Sequence, residues 1–216
     1  MQKKYVNLLL LALMLVAIFA LASCANSGSG QEQGSSESEN DMQGMAHGSE
    51  STDDASEMLM ENGEYSDERF IDAMVPHHQG AIEMAQVALE NAEHPEILAL
   101  AEEIVAAQET EIGQLKAIKQ EQFGTSEVSM DMMSAEEMEG MGMASDPQEL
   151  ANQDPFDKAF IDNMIPHHES AIAMAQVVLE ESENPEIREI AEAIVDAQER
   201  EIEQMRSWRD EWYPEG

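Results

Sequence analysis

His77–His78 and His167–His168 are the residues whose types and spacing point most directly to chemistry. Each pair lies in a string Met-x-x-His-His-x-x-Ala-Ile-x-Met, from Met74 to Met84 and from Met164 to Met174. Imidazole with thioether is a borderline-to-soft ligand set, suited to copper, above all Cu(I), and poorly to Mg²⁺ or Ca²⁺. On a helix, Met74, His77 or His78, Ala81 and Met84 or Ala85 share one side, and small Ala81 leaves space between the histidine and Met84 levels. Adjacent histidines are about 100° apart on a helix. One ring of each pair is therefore expected to point inward and the other toward solvent or a second site. Gln108 and Glu111, with Gln198 and Glu201, fall on the following helices at a height that could face the rings and accept their second N–H. Asp72 and Asp162 are grouped with them as candidate supports.

A methionine at helical spacing usually fills core, and a lone histidine on an apolar face usually satisfies a buried hydrogen bond. Duplication tilts the reading toward metal. Windows 70–114 and 160–204, offset by 90 residues, are identical at 29 of 45 positions without a gap, and the duplicated positions include four of the six histidines. Shared helical composition does not produce that match.

The elements that must position these residues read as two helical hairpins. Ser66-Asp67-Glu68 supplies a capping residue and acids at the positive end of a helix dipole. Two adjoining stripes follow, Ile71, Val75, His78, Ile82, Ala85, Leu89 and Phe70, Met74, His77, Ala81, Met84, Ala88, which make a broad bundle-facing surface. His94-Pro95 breaks the helix and opens the next one, whose stripe runs through Ile97, Ala101, Ile104, Gln108, Ile112 and Leu115. The second copy follows the same plan, extended by Trp208 and Trp212. No stretch alternates with period two, and the fold class is expected to be all-α: a four-helix bundle of two repeated hairpins. Pro76 and Pro166 interrupt the first helix of each copy, removing the hydrogen bond to the carbonyl of Asp72 or Asp162. Either the helix kinks there or a new one starts; the unbroken phase of the stripes favours a kink.

Organisation beyond the bundle follows from composition. Residues 1–23 read as a lipoprotein signal peptide: Lys3 and Lys4, an apolar run, then Leu21-Ala22-Ser23-Cys24, which resembles a lipobox with Cys24 as the lipidated residue. The expected location is the cell envelope, outside the cytoplasm, on a lipid anchor. Cys24 is the sole cysteine, so no internal disulfide exists. Residues 24–64 are expected as a disordered Met-containing tether, 65–122 as hairpin 1, 123–153 as a Met-rich linker with a short helix near 134–142, and 154–214 as hairpin 2. The chain holds 17 methionines, and several, including Met42, Met45, Met130 and Met143, lie in the tether and linker, where core packing does not explain them. Net charge is −36. An acidic surface of this kind opposes nucleic-acid binding and concentrates cations.

The strings Phe70–Leu89 and Phe160–Leu179, with Ala107-Gln108-Glu109-x-Glu111-Ile112 and its copy at 197–202, resemble the bacterial domain-of-unknown-function family numbered 305. The resemblance covers roughly residues 65–214. It implies a ferritin-like four-helix bundle, export and, for some members, extracytoplasmic copper binding or resistance. Carried over by position, it implies Met74, His77, His78, Met84, Met164, His167, His168 and Met174 as metal residues. Where the family often has a methionine after the Gln-x-x-Glu-Ile segment, this chain has Leu115 in copy one and Met205 in copy two, which points to copy two as the softer site.

The reading is therefore a membrane-anchored lipoprotein that binds soft metal ions, copper first, for capture, buffering or resistance. Its partners are metal ions and, through Cys24, the membrane; no protein partner is named by the sequence. The complete apolar stripes imply folding without metal. The alternative is a metal-free envelope interaction module. A ferritin-like metal oxidase fits less well, because the Glu-x-x-His motif of such sites is replaced by Met74, Val75, Met164 and Ile165 at the position three before each histidine. No enzymatic activity is expected.

Overall fold

The computed structural model describes residues 55–129 and 147–214. The signal peptide, Cys24, the methionines at 42 and 45 and the helix expected near 134–142 lie outside the described residues. Four long helices carry the architecture: α1 (Asp67–Asn91), α2 (Pro95–Phe123), α4 (Phe156–Glu181) and α5 (Pro185–Trp212), with a one-turn α3 (Pro147–Leu150) before α4. The fold is an all-α four-helix bundle built from two hairpins, as the periodicity predicts.

Local chemistry sets each boundary. Ser66 Oγ accepts from the Arg69 backbone N–H at 3.4 Å, capping α1. Pro95 and Pro185 occupy the first turns of α2 and α5, where the missing N–H costs nothing. Asn184 Oδ1 accepts from Glu186 N at 3.0 Å. α2 ends at Gly124, whose φ of 78° is the left-handed conformation that glycine tolerates best. Pro76 and Pro166 lie inside α1 and α4, and neither splits its helix.

The two copies are related by a pseudo-two-fold axis across antiparallel α1 and α4. At one end of this pair Asp157, opening α4, accepts from Glu93 N at 3.1 Å and from His94 N at 2.8 Å just beyond α1. At the other end Asp67, opening α1, accepts from Ser182 Oγ at 2.7 Å just beyond α4. Asp67 and Asp157 are equivalent residues, 90 apart. Two apolar clusters result. One joins Phe70, Ile71 and Met74 to Met174, Val178, Ile187 and Leu115. The other joins Ala81, Met84 and Ala88 to Phe160, Met164, Ile104 and Met205. Along both α1 and α4 the histidines fall between the residues of one cluster and those of the other, as a polar layer in an apolar bundle.

The structure alters three expectations. Order begins before residue 65: a helical turn over 55–59 buries Ala55, Met58 and Leu59, so the expected tether to residue 64 is too long. Arg69 Nε donates to the Met58 carbonyl at 3.1 Å and holds this turn down. Two short antiparallel strands, β1 (Met60–Glu61) and β2 (Glu64–Tyr65), follow, joined by Asn62 and Gly63 with φ of 54° and 85°. That Asn-Gly turn matches strand twist and favours a hairpin. Leu89, placed in the apolar stripe, is 38% exposed. Among the described residues no helix is long and apolar enough to cross a membrane.

Candidate metal site

All four paired histidines are buried, at 0–1% exposure. The expectation that one ring of each pair faces outward is therefore corrected. A helix in a four-helix bundle touches two neighbours, so residues 100° apart each find an interface. His77 of α1 faces α4, and its ring meets that of His167 with centroids 3.8 Å apart and planes tilted by 38°. His78 turns instead to α2, with Nε2 2.7 Å from Glu111 Oε2 but out of line for a hydrogen bond. His168 does the same within copy two: Nε2 lies 2.6 Å from Glu201 Oε2. Glu111 and Glu201 thus reach the rings at the distance an outer orienting carboxylate requires.

The central pair is not symmetric in its surroundings. His77 Nε2 lies 2.7 Å from Ser170 Oγ, and that hydroxyl donates to the His167 carbonyl at 2.8 Å. Position 80, the equivalent of 170, is glycine. A Cβ there would come 3.5 Å from His167 Nε2, and no hydroxyl is present to meet it.

Burial leaves several ring nitrogens without a hydrogen bond: Nδ1 of His77, His78, His167 and His168, and Nε2 of His78 and His167. Gln108 and Gln198, both 3% exposed, have amide oxygens in the same condition. Each such group costs about 1–3 kcal/mol relative to its hydrated state, so a core designed for stability alone would not collect them. Burial, reinforced by the neighbouring imidazoles, pushes His77 and His167 well below the ordinary imidazole range. The rings stay neutral at pH 7, with a lone pair on one nitrogen, as ligation demands.

The methionines are all inside: Met74 and Met164 at 0%, Met174 at 1% and Met84 at 8% exposure. Their grouping differs from the single-helix string. Met74 shares a cluster with Met174 and Met58, and Met84 shares one with Met164 and Met205. Leu115 and Met205, equivalent positions, are both fully buried, one in each cluster. Asp72 and Asp162 stand apart from the imidazoles. Asp72 pairs with buried Lys119, and Asp162 with Lys158 at 2.6 Å and Arg209 at 2.5 Å. Among the described residues no three His, Cys, Asp or Glu side chains converge on one point where an ion could sit. The central rings meet in a tilted contact rather than converge on a shared point, so an ion held by both requires at least one ring to turn.

A further cluster escaped the sequence reading. His94 stacks on Trp212 with centroids 3.8 Å apart and planes at 7°, while its Nδ1 lies 2.5 Å from Asp157 Oδ2. It pins the end of α5 to the first hairpin's turn. The i,i+4 spacing of Trp208 and Trp212 was the available signal.

Against known proteins, the chain resembles CopM in its Cu(II)-bound form, with 41% identity, a TM-score of 0.63, and coverage of 69% of this chain and 99% of that one. CopM in the Cu(I)-bound form matches at 38% identity and a TM-score of 0.61, with the same coverage. A DUF305 fragment from Deinococcus radiodurans matches at 28% identity and a TM-score of 0.59, over 65% of this chain and 93% of that one. Among curated sequences, "Uncharacterized protein L153" of Acanthamoeba polyphaga mimivirus is 38% identical over 55 residues, 26% of this chain; the match spans only 36% of that relative's length. The profile described as "Domain of unknown function (DUF305)" matches residues 18–119 and 67–209, and the chain belongs to that family.

Proposed function

We propose that this protein binds soft metal ions, copper before others, in the histidine layer of the bundle, and acts as a binder rather than a catalyst. One observation carries the reading: four buried imidazoles, each with an unpartnered Nδ1, gathered where the two copies cross. His77, His78, His167 and His168 would supply nitrogen, and Met74, Met84, Met164 and Met174 sulfur. The likeness to CopM, solved with Cu(I) and Cu(II), supports the same cargo here. The sequence features of an export signal and lipobox at Cys24 support a lipid-anchored protein of the cell envelope, where capture or buffering of copper would protect the cell. The acidic surface would raise the local cation concentration around such a site.

The metal-free interaction module keeps one observation in its favour, the lack of any ready three-donor cluster among the described residues. Titration with Cu(I) and Cu(II) against a competing chelator separates the two. Loss of the tight site in a His77→Ala/His167→Ala variant is expected, with the site retained when the Met-rich segments 24–54 and 130–146 are deleted. Unchanged binding in the histidine variant would move the site to those segments. Binding no tighter than that of an equally acidic control protein would leave the interaction module.

A further inference from the structure

Resting on the metal-binding reading, we propose that Ser170 is a positioning residue: it fixes the proton of His77 on Nε2 and presents bare Nδ1 as that ring's ligating nitrogen. The proton assignment follows from the hydrogen bonds around the serine. Ser170 Oγ donates to the His167 carbonyl at 2.8 Å, so toward His77 Nε2, 2.7 Å away, it offers a lone pair. A neutral imidazole carries one N–H and one bare nitrogen. The N–H of His77 therefore sits on Nε2, and Nδ1 keeps its lone pair, buried and without a hydrogen bond. His168 reaches the same state by another route, since Glu201 Oε2, at 2.6 Å from its Nε2, accepts as a carboxylate. Such outer-shell acceptors also raise the basicity of the nitrogen that ligates.

His167 differs. Its counterpart of Ser170 is Gly80, and neither of its ring nitrogens has a hydrogen bond. The repeat that places His77 against His167 thus carries a single serine-for-glycine difference at the crossing. The two central ligands are inequivalent as a result: His77 is locked for Nδ1, and His167 can present either nitrogen and turn to meet the ion. A ring free to turn is what the tilted ring contact requires of at least one partner.

The test is nuclear magnetic resonance of the full chain, ¹⁵N-labelled at histidine and held in detergent micelles, where long-range proton–nitrogen spectra report which ring nitrogen is protonated. Without metal, His77 and His168 are expected as Nε2–H forms. Ser170→Ala should abolish the preference at His77, Ser170→Thr should keep it, and Gly80→Ser should impose it on His167. A Cβ at position 80 would lie 3.5 Å from His167 Nε2, an ordinary contact distance. On titration with Ag(I), a diamagnetic soft ion, the Nδ1 resonance of His77 should shift, and Ser170→Ala should weaken binding by roughly 10- to 100-fold, as loss of an orienting partner does. An Nδ1–H form of His77 in the unsubstituted chain, or an unchanged preference in Ser170→Ala, overturns the proposal. Ag(I) binding that moves Nε2 instead of Nδ1 overturns it while leaving the metal reading intact. Absence of any Ag(I) response sinks the metal reading itself, and the ligand assignment with it.

Discussion

His77 and His167 occupy equivalent positions in the two copies, 90 residues apart, and their rings touch, with centroids 3.8 Å apart. Contact between equivalent residues places both on the pseudo-two-fold axis. The acceptors Asp67 and Asp157, at opposite ends of the α1–α4 pair, follow the same symmetry, while Ser170 against Gly80 breaks it at the crossing. The same symmetry brings Met74 together with Met174 in one cluster and Met84 with Met164 in the other. Duplication thus does more than double a site; it assembles one layer from two half-sites, and neither hairpin alone would bury it.

The layer should cost stability in the metal-free protein. Both nitrogens of His167 lack hydrogen bonds. Replacing this ring with an apolar side chain of similar volume removes that desolvation penalty, so His167→Leu should stabilise the apo bundle by about 1–2 kcal/mol while weakening metal binding. Urea unfolding with and without Cu(I) checks both halves. A less stable apo variant would show that the ring has partners that the geometry does not reveal.

Acid should unfold the apo protein by way of the same layer. His77 and His167 titrate well below the ordinary 6.5, pushed down by burial first and by neighbouring imidazoles second. Below 6.5 the unfolded chain takes up protons that the folded rings refuse, so native stability falls as pH drops from 7 toward 5. The slope approaches about 1.4 kcal/mol per pH unit for each ring. Carboxylates contribute in the same range, so the informative quantity is the difference between the unsubstituted chain and a His77→Leu/His167→Leu variant. Urea midpoints that fall equally in both would rule out the histidines as the cause.

Much of this was legible in the sequence, for identifiable reasons. Apolar period, the Ser66 cap and the His94-Pro95 break fix the helices locally, and the 90-residue repeat fixes the count. The inward direction of both rings was not legible, because it depends on α1 having α4 on one side and α2 on the other. The destination of Asp72 was equally hidden: its partner Lys119 is 47 residues away and sits on a different helix. The hairpin at 60–65 did carry a signal, Asn62-Gly63, which was masked by the polar composition around it. Leu59, fully buried, shows how one apolar side chain can order a segment whose average composition reads as tether.

Asp157 should be the most sensitive joint between copies. At 2% exposure it accepts from Glu93 N, His94 N and His94 Nδ1, all from the turn of the other hairpin. Asp157→Ala strands two backbone N–H groups and frees His94 from its place on Trp212. A loss of about 3 kcal/mol is expected, read as a lower urea midpoint together with loss of the stacked-indole signal in near-ultraviolet circular dichroism. The equivalent Asp67→Ala, which strands one hydroxyl, Ser182 Oγ, should cost about 1 kcal/mol. Equal losses at the two positions would contradict the asymmetry.

The methionines offer the cleanest separation of packing from ligation. Met74, Met84, Met164 and Met174 are buried, and leucine is nearly isosteric, so each Met→Leu change should cost less than about 1.5 kcal/mol. If the sulfurs serve only as filler, a quadruple Met→Leu variant should fold and bind metals like the original. If they ligate, Cu(I) and Ag(I) affinity should fall by at least about 10-fold, the effect of losing roughly 1.4 kcal/mol. Cu(II), which imidazole alone suits, should be held almost as before. Selective loss is the expected result, because thioether is soft and the two oxidation states differ in softness, not in access. Parallel loss of Cu(I) and Cu(II) would instead mean that leucine has disturbed the histidine layer. The circular dichroism melting curve of the apo variant tells that outcome from true ligation.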